Sequence, residues 1–438
     1  MRDYTILRLY RAVSYAAAIL LLIAVSCSSA LAAVTFHPRL SVETSYTDNV
    51  DLLPENEEHD FITTISPGFD LGLTGRLHEA TLSYTPTWAI YSRFSENNEL
   101  RHNASLSAMR EITRRTRVEL TNDYVFTEDP AYDTAAEPIS EVDTTVRRDR
   151  EPYQTNSTDL SLIHQFGPED SIELGYRYYF LRNDDPRYED SENQEPRLVI
   201  TYWPVANRYG IETEVSYTER SFDESEDYDD TYSRLRLIHR VSRHLDVYLE
   251  YAQEWTNYVN DGVDYKVYNP MAGFTWAASS NFSVNGSLGY FLQENDNDEE
   301  EDGLTGSLET VYSWRERHSF SLLADYGYDQ SDTGAETLGF TEYYGVTATL
   351  DYQLGRRLNS NFRVAYERNS YQEVEPERED DIFRANASLS YQALPWMGVE
   401  VGYAFRDLSS DVEINEYTEN RAFFRVSLSP RRPYYLSR

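Results

Sequence analysis

The chain has 438 residues, 40% of them hydrophobic, with 75 acidic against 39 basic side chains and a formal net charge of -36. That balance excludes attraction to nucleic acid phosphates. Yet 37 Tyr and 18 Phe are far more aromatic residues than a disordered acidic chain carries, so the sequence encodes something ordered that buries rings.

The first 32 residues read as an export signal. Arg2, Arg8 and Arg11 precede an apolar run from Ala16 to Val25, and small residues follow, ending in Ala30-Leu31-Ala32. A positive, apolar, small succession is a secretory signal, and the run is too short to span a bilayer as a helix. Ala30 and Ala32 have the short side chains a signal peptidase accepts, which predicts cleavage after Ala32 and a mature chain of residues 33–438. Cys27, the only cysteine, lies inside that signal, so the mature chain has no thiol for a disulfide, a soft metal site or nucleophilic catalysis. Because Cys27 follows Ala24-Val25-Ser26, a loose lipoprotein box without its usual Leu, an acyl anchor is the alternative reading.

Beyond the signal no stretch of about 18 apolar residues occurs, which leaves a closed barrel as the membrane-spanning solution. Its mark is segments of about ten residues alternating apolar and polar, joined by connections of two unequal lengths. Ile172, Leu174, Tyr176, Tyr178 and Phe180 make one face against Ser171, Glu173, Gly175 and Arg177. Leu245, Val247, Leu249 and Tyr251 oppose His244, Asp246, Tyr248 and Glu250, and Met397, Val399, Val401, Tyr403 and Phe405 repeat the pattern. Tight connections such as Gly167-Pro168-Glu169, Val241-Ser242-Arg243 and Gly355-Arg356-Arg357 alternate with long acidic ones at 184–192, 223–230, 294–302 and 373–381. The prediction is an all-β fold, a transmembrane up-and-down antiparallel β-barrel of about 20 strands (18–22), in the outer membrane of a Gram-negative bacterium. A soluble propeller would instead repeat four strands with short connections on both sides.

Short turns belong in the periplasm and long loops outside. The short rim is also the basic one, with Arg243, Arg315, Arg317, Arg356 and Arg357 set for phospholipid headgroups. The acidic loops would lie among lipopolysaccharide phosphates bridged by divalent cations. Tyr46, Tyr124, Tyr217, Tyr251, Tyr290, Tyr366 and Tyr403 are expected in an outer aromatic belt, and Trp203, Trp276, Trp314 and Trp396 in an inner one. The ordinary β-propensity of Tyr and Trp is the competing account. Strand 1 is expected to begin near Pro38, too close to the cleavage site for a plug domain, and the longest connection, Thr127 to Pro152, is either a constriction or a surface loop.

The alternation assigns Arg177, Tyr179, Glu212, Glu214, Arg234, Arg236, Asp246, Tyr248 and Glu250 to the lumen face. Opposite charges on adjacent strands suggest a structural role first. The functional alternative is a hydrophilic track, with Arg and Glu hydrogen-bonding sugar hydroxyls while Tyr179 and Tyr248 stack on pyranose rings. His37, His78, His102, His164, His239, His244 and His318 show no paired metal-ligand spacing, and neither a Gly-x-Ser-x-Gly elbow nor a phosphate-cradling glycine loop occurs. The chain is therefore read as a non-enzyme with no cofactor or metal.

Phe36-His37-Pro38 leads into Glu43-Thr44 and Tyr46-Thr47-Asp48-Asn49-Val50, and Asp60-Phe61-Ile62-Thr63-Thr64-Ile65-Ser66-Pro67-Gly68 follows. This segment resembles the start of the β-barrel porin type 2 family, outer-membrane barrels often associated with exopolysaccharide or capsule systems. The resemblance implies a porin-like channel in the export or assembly of surface polysaccharide. The expected partners are outer-membrane lipid and lipopolysaccharide, the barrel assembly machinery, and polysaccharide or periplasmic export components, with no nucleic acid. Asp48 and Asn49 read as turn residues, and Pro67-Gly68 as a bulge or bend. After Ala422, Phe424, Val426 and Leu428 the chain continues to Arg438, so either Tyr434-Tyr435 extends the last strand past Pro430 and Pro433 or assembly reads an internal signal. A surface binding or adhesive barrel acting through its acidic loops, and a barrel hydrolase, are the alternative functions.

Overall fold

The computed structural model describes residues 33–129, 150–260, 262–296, 300–315, 317–333, 336–371 and 378–437, without the side chains of 330–338 and 437. The expected signal, with Ala30, Ala32 and Cys27, lies outside the described residues, as does most of the 127–152 connection. The strands alternate in direction and pair with their chain neighbours. They are β1 (Ala33–Thr47), β2 (Asp60–Thr74), β3 (His78–Tyr91), β4 (Glu99–Thr113), β5 (Thr116–Thr127), β6 (Tyr153–Gln165) and β7 (Ser171–Asn183). Next come β8 (Ser191–Val205), β9 (Tyr209–Phe222), β10 (Tyr228–Ser242), β11 (Leu245–Tyr258), β12 (Tyr265–Ser279), β13 (Phe282–Asn295) and β14 (Glu300–Trp314). The circuit ends with β15 (His318–Thr333), β16 (Glu336–Gln353), β17 (Leu358–Tyr371), β18 (Arg378–Leu394), β19 (Met397–Ser410), β20 (Tyr417–Leu428) and a four-residue β21 (Tyr434–Ser437). Pairing of β1 with β20 closes the sheet into a barrel of 20 strands, so no backbone edge is left to hydrocarbon.

Residues directly opposite in an antiparallel pair point to the same side, so the register carries one face around the circuit. Large apolar side chains stand exposed on the outer face, among them Phe61 (52%), Trp88 (59%), Leu249 (64%) and Leu288 (66%), as lipid contact requires. Tyr46, Tyr217, Tyr251, Tyr290, Tyr366 and Tyr403 share that face near the long-loop rim. Trp276, Tyr312 and Tyr352 do so near the short-turn rim. Trp203 does not join them. It turns into the lumen, where its ring lies on Gly210 and under the Arg240 guanidinium, 4.3 Å from the ring centre.

Strand 1 begins at Ala33 instead of Pro38, because Ala33 is already opposite Thr74 of β2. Pro67-Gly68 makes no bulge. The β1–β2 register runs through unbroken, and only the β2–β3 ladder skips Ser66 to Gly68, where Pro67 has no N–H to give. The C-terminal segment continues the last strand past its prolines. Leu428 faces Leu40 and Tyr434 faces Phe36, so the five residues Ser429–Pro433 occupy the place of three on β1. His37 fastens this detour, its Nε2 lying 2.8 Å from Ser429 Oγ and 2.9 Å from the Pro430 carbonyl.

At the other end of the same seam, Thr47 donates to Glu419 (2.8 Å). Both carboxylate oxygens of Asp48 accept from Asn420, at 2.7 Å from its N–H and 2.8 Å from its amide. Asn49, fully buried, donates to Thr418 O and Leu53 O and accepts from Leu53 N. Asp48 and Asn49 are therefore more than turn formers: they clasp the first strand to the last.

Candidate functional site

The described lumen is polar, and two adjoining parts of its wall, β6–β11 and β12–β16, are unlike. On β9–β11 the inward side chains form one ion network. Arg234 reaches Glu212 and Glu214 at 2.7 Å each and Glu250 at 3.4 Å, and Arg236 reaches Glu250 at 2.5 Å and Glu212 at 3.6 Å. Asp246 lies apart from them, paired with Arg240 at 3.3 Å, and Arg240 also reaches Glu169 on the short rim. Arg177 belongs to a second group on β6–β8, with Asp159 at 3.3 Å and Glu195 at 3.6 Å, joined through Asp159 to Arg197 and Glu173. Tyr179 faces the lumen above it, opposite Ser157 and Asn193. All nine sequence-predicted residues thus point inward, not as one track but with the charged ones in two networks and Asp246 paired separately at the short rim. Arg197, Arg240, Asp159 and Glu195 were not singled out by sequence, although the same period-two reading that put Glu173 on the polar face would have found them.

Tyr248 does not project into the channel. The end of its ring lies over Gly273, where a Cβ would collide with it, and the Arg236 guanidinium stacks on the ring at 4.6 Å from its centre. Phe423 lies likewise on Gly402 under Arg425 at 5.1 Å, and Trp203 on Gly210 under Arg240. Each is a sandwich of glycine, ring and guanidinium in which the cation is held over the π face. Flattened this way, large aromatic side chains line the wall without narrowing it.

The wall of β12–β16 differs. Its inward positions include Asn269, Gly273 and Thr275 on β12, Ser283, Asn285, Ser287 and Gly289 on β13, and Gly303, Thr305 and Ser307 on β14. Ser319, Ser321, Thr347 and Thr349 continue it on β15 and β16, and the carboxylates Glu309, Asp325 and Asp351 face inward among them. Among the described residues no inward Arg or Lys occurs on these five strands, since Lys266 faces outward. Above this wall the β15–β16 hairpin leaves the barrel. β14 and β15 pair only over Gly306–Trp314 and His318–Tyr326, and beyond Gly327 the hairpin leans over the lumen. There Tyr328 and Phe340 pack on Tyr265, Val267 and Phe291 of β12 and β13, with ring centres 4.9 to 6.0 Å apart. Phe291 itself sits on Gly303.

A second inward element stands across the same mouth. The stems of the 127–152 connection are held by a buried ion cluster: Arg101 pairs with Glu128 at 2.6 Å and Asp129 at 3.2 Å. Arg150, 6% exposed, donates to Val50 O and to the Tyr91 hydroxyl at 2.9 Å while covering that ring. Burial alone would raise the Asp129 carboxyl, but the guanidinium groups of Arg101, Arg150, Arg421 and Arg406 hold it well below the ordinary carboxylate range. Sequence reasoning named the loop but not this cluster, which joins that connection to Tyr91 of β3 and Arg101 of β4.

At the short-turn rim a basic pocket is lined by Arg208, Arg240, Arg243, His239 and His244, with Asp246 as its acidic member. Among the described residues no group of three or more His, Cys, Asp or Glu side chains is placed to hold a metal ion.

The family model described as "Putative beta-barrel porin 2" matches residues 33–191 and 314–429. No curated protein matches the chain. Among solved structures, the siderophore receptor PirA from Acinetobacter baumannii superposes with a TM-score of 0.51 at 9% identity, covering 90% of this chain and 80% of that one. A mutant of the ferric enterobactin receptor PfeA from Pseudomonas aeruginosa gives the same TM-score, identity and coverage. At such identity the likeness is one of fold.

Proposed function

Starting from a chain that belongs to the β-barrel porin 2 family and lies in the outer membrane, we propose that it conducts polyhydroxylated solutes, specifically surface polysaccharide during export or assembly. The observation that carries this reading is the β12–β16 wall. Serine, threonine and asparagine both donate and accept hydrogen bonds, as sugar hydroxyls do, and a wall without cations does not retain anions. The adjoining β9–β11 wall offers little free charge, because its arginines and carboxylates are already paired and serve mainly to stabilise a polar interior. In this reading Tyr248 is structural and Tyr179 remains a stacking residue.

The proposal includes export through the secretory pathway, cleavage after Ala32 and insertion by the barrel assembly machinery. It assigns no catalysis to the chain. Lipopolysaccharide is the partner of the acidic loops, and periplasmic export components are the partners of the basic short rim. A second reading, a barrel that binds ligand at the surface, is favoured by the two inward elements at the mouth.

Single-channel recording of the refolded residues 33–438 in a planar bilayer, with oligosaccharides added to one side, separates the two. Stable current steps that neutral oligosaccharides block would support passage of glycan. A folded, heat-modifiable barrel that never conducts would overturn it in favour of surface binding.

A further inference from the structure

On the outer face of β3–β6 the lipid-facing surface departs from the rest of the barrel. The outward series on β5 runs Val118, Leu120, Asn122, Tyr124, Phe126, and the series on β6 runs Leu162, Leu160, Thr158, Asn156, Gln154. Asn122 is directly opposite Thr158, halfway along both strands and between the two aromatic belts. Its amide donates to Thr158 Oγ1 at 2.8 Å and to Asn156 Oδ1 at 3.2 Å. Among the described residues nothing donates to its own carbonyl oxygen. Beside it, Tyr84 of β3 and His102 of β4, also outward, share a 2.8 Å hydrogen bond and stack at 6.1 Å. At the same depth other strands present side chains such as Leu235, Leu249, Leu288, Leu322, Leu350 and Val401.

A polar cluster facing hydrocarbon is costly unless something other than lipid meets it, and water is not there to do so. We infer that this face is a contact between two copies of the chain in the membrane. Two barrels inserted with the same orientation are related by an axis along the bilayer normal, so equivalent residues meet at equal depth. A polar patch can satisfy its own image only if each group both donates and accepts. Asn122, Asn156, Thr158, Tyr124 and Tyr84 all do, with the buried His102 holding the Tyr84 hydroxyl from behind, and no Asp, Glu, Lys or Arg interrupts the patch between the belts. A carboxylate or ammonium would repel its own image and point to a different partner. Ala104 and Ala108 of β4, outward beside the patch, let the two walls approach closely.

The test is disulfide cross-linking in outer membranes with the full chain in a Cys27→Ser background, comparing Asn122→Cys with Leu249→Cys further round the wall. A mild oxidant should convert Asn122→Cys to a product of twice the monomer mass, in a fraction at least about ten-fold that of Leu249→Cys. The triple variant Asn122→Leu, Asn156→Leu, Thr158→Val should stay heat-modifiable, hence folded, yet run as a monomer in mild detergent where the unaltered protein runs as an oligomer. If Asn122→Cys folds but gives only monomer, or links only to a chain of another mass, the contact between copies is overturned. That cross-link decides the matter even if the triple variant fails to fold.

Discussion

Replacing Asn49 by alanine tests whether the clasp between the first and last strands matters energetically. The change removes three hydrogen bonds and leaves three backbone groups, Leu53 N, Leu53 O and Thr418 O, without the partner that the fully buried Asn49 side chain supplies. Each such group costs about 1–3 kcal/mol when it stays dry. Part of the Leu53 turn is half-buried and recovers water, so the expected loss is about 3 kcal/mol. Asn49→Asp keeps the acceptor for Leu53 N but sets a buried carboxylate oxygen against the carbonyls of Leu53 and Thr418, so it should cost at least as much. The assay is urea unfolding of the barrel in lipid vesicles, followed by tryptophan fluorescence and by the heat-dependent shift on gels. A double-mutant cycle between Asp48→Ala and Asn420→Ala should add a coupling of about 1 kcal/mol. If Asn49→Ala costs less than about 0.5 kcal/mol, the residue is only a turn former and the clasp reasoning fails.

Further outcomes are expected at the lumen and mouth. Arg101→Ala combined with Arg150→Ala should release the stems of the 127–152 connection and raise single-channel conductance, and an unchanged step size would mean that these stems do not restrict the path. Gly273→Val should push the Tyr248 ring off the wall and lower conductance in a barrel that still shifts on heating, whereas Tyr248→Ala in the same background should restore it. Glu250→Gln weakens the partner shared by Arg234 and Arg236 and should cost about 2 kcal/mol in urea unfolding. The Asp129 carboxyl is depressed by its arginines, so its contribution is fully present above the unfolded carboxylate value and disappears only as pH falls through the lower folded one. The mouth cluster should therefore hold at pH 4, with conductance unchanged from pH 7. Asp129→Asn should raise conductance at neutral pH, and opening already near pH 5 in the unaltered protein would contradict the arrangement.

The barrel was legible because a strand wetted on one face and in lipid on the other must alternate with period two, as Ile172 to Phe180 and Met397 to Phe405 do. What sequence did not carry was anything depending on which residues meet across the fold. Asp48 and Asn49 read as turn formers because Thr418 and Asn420, which they hold, lie at the far end of the chain. Trp203 was read as a belt residue because a tryptophan near a rim usually is, and only the register shows Gly210 making room for it inside. The inward lean of the β15–β16 hairpin has a faint signal in its length, 16 and 18 residues against 12 to 15 for most strands, but alternation continues through it unchanged. Among the site residues, facing was readable and grouping was not: nothing in the sequence separates Arg177 from Arg234.

The rings lying on Gly210, Gly273 and Gly402 bear on how such a channel can change over evolutionary time. Strand number fixes the circumference of a barrel, and altering it requires gaining or losing a whole hairpin. The free aperture, however, depends on whether each large inward side chain lies against the wall or stands away from it, and that depends on one missing methyl group opposite. A lineage could thus widen or narrow its passage by single substitutions at wall glycines while strand pairing, seam and loops stay as they are.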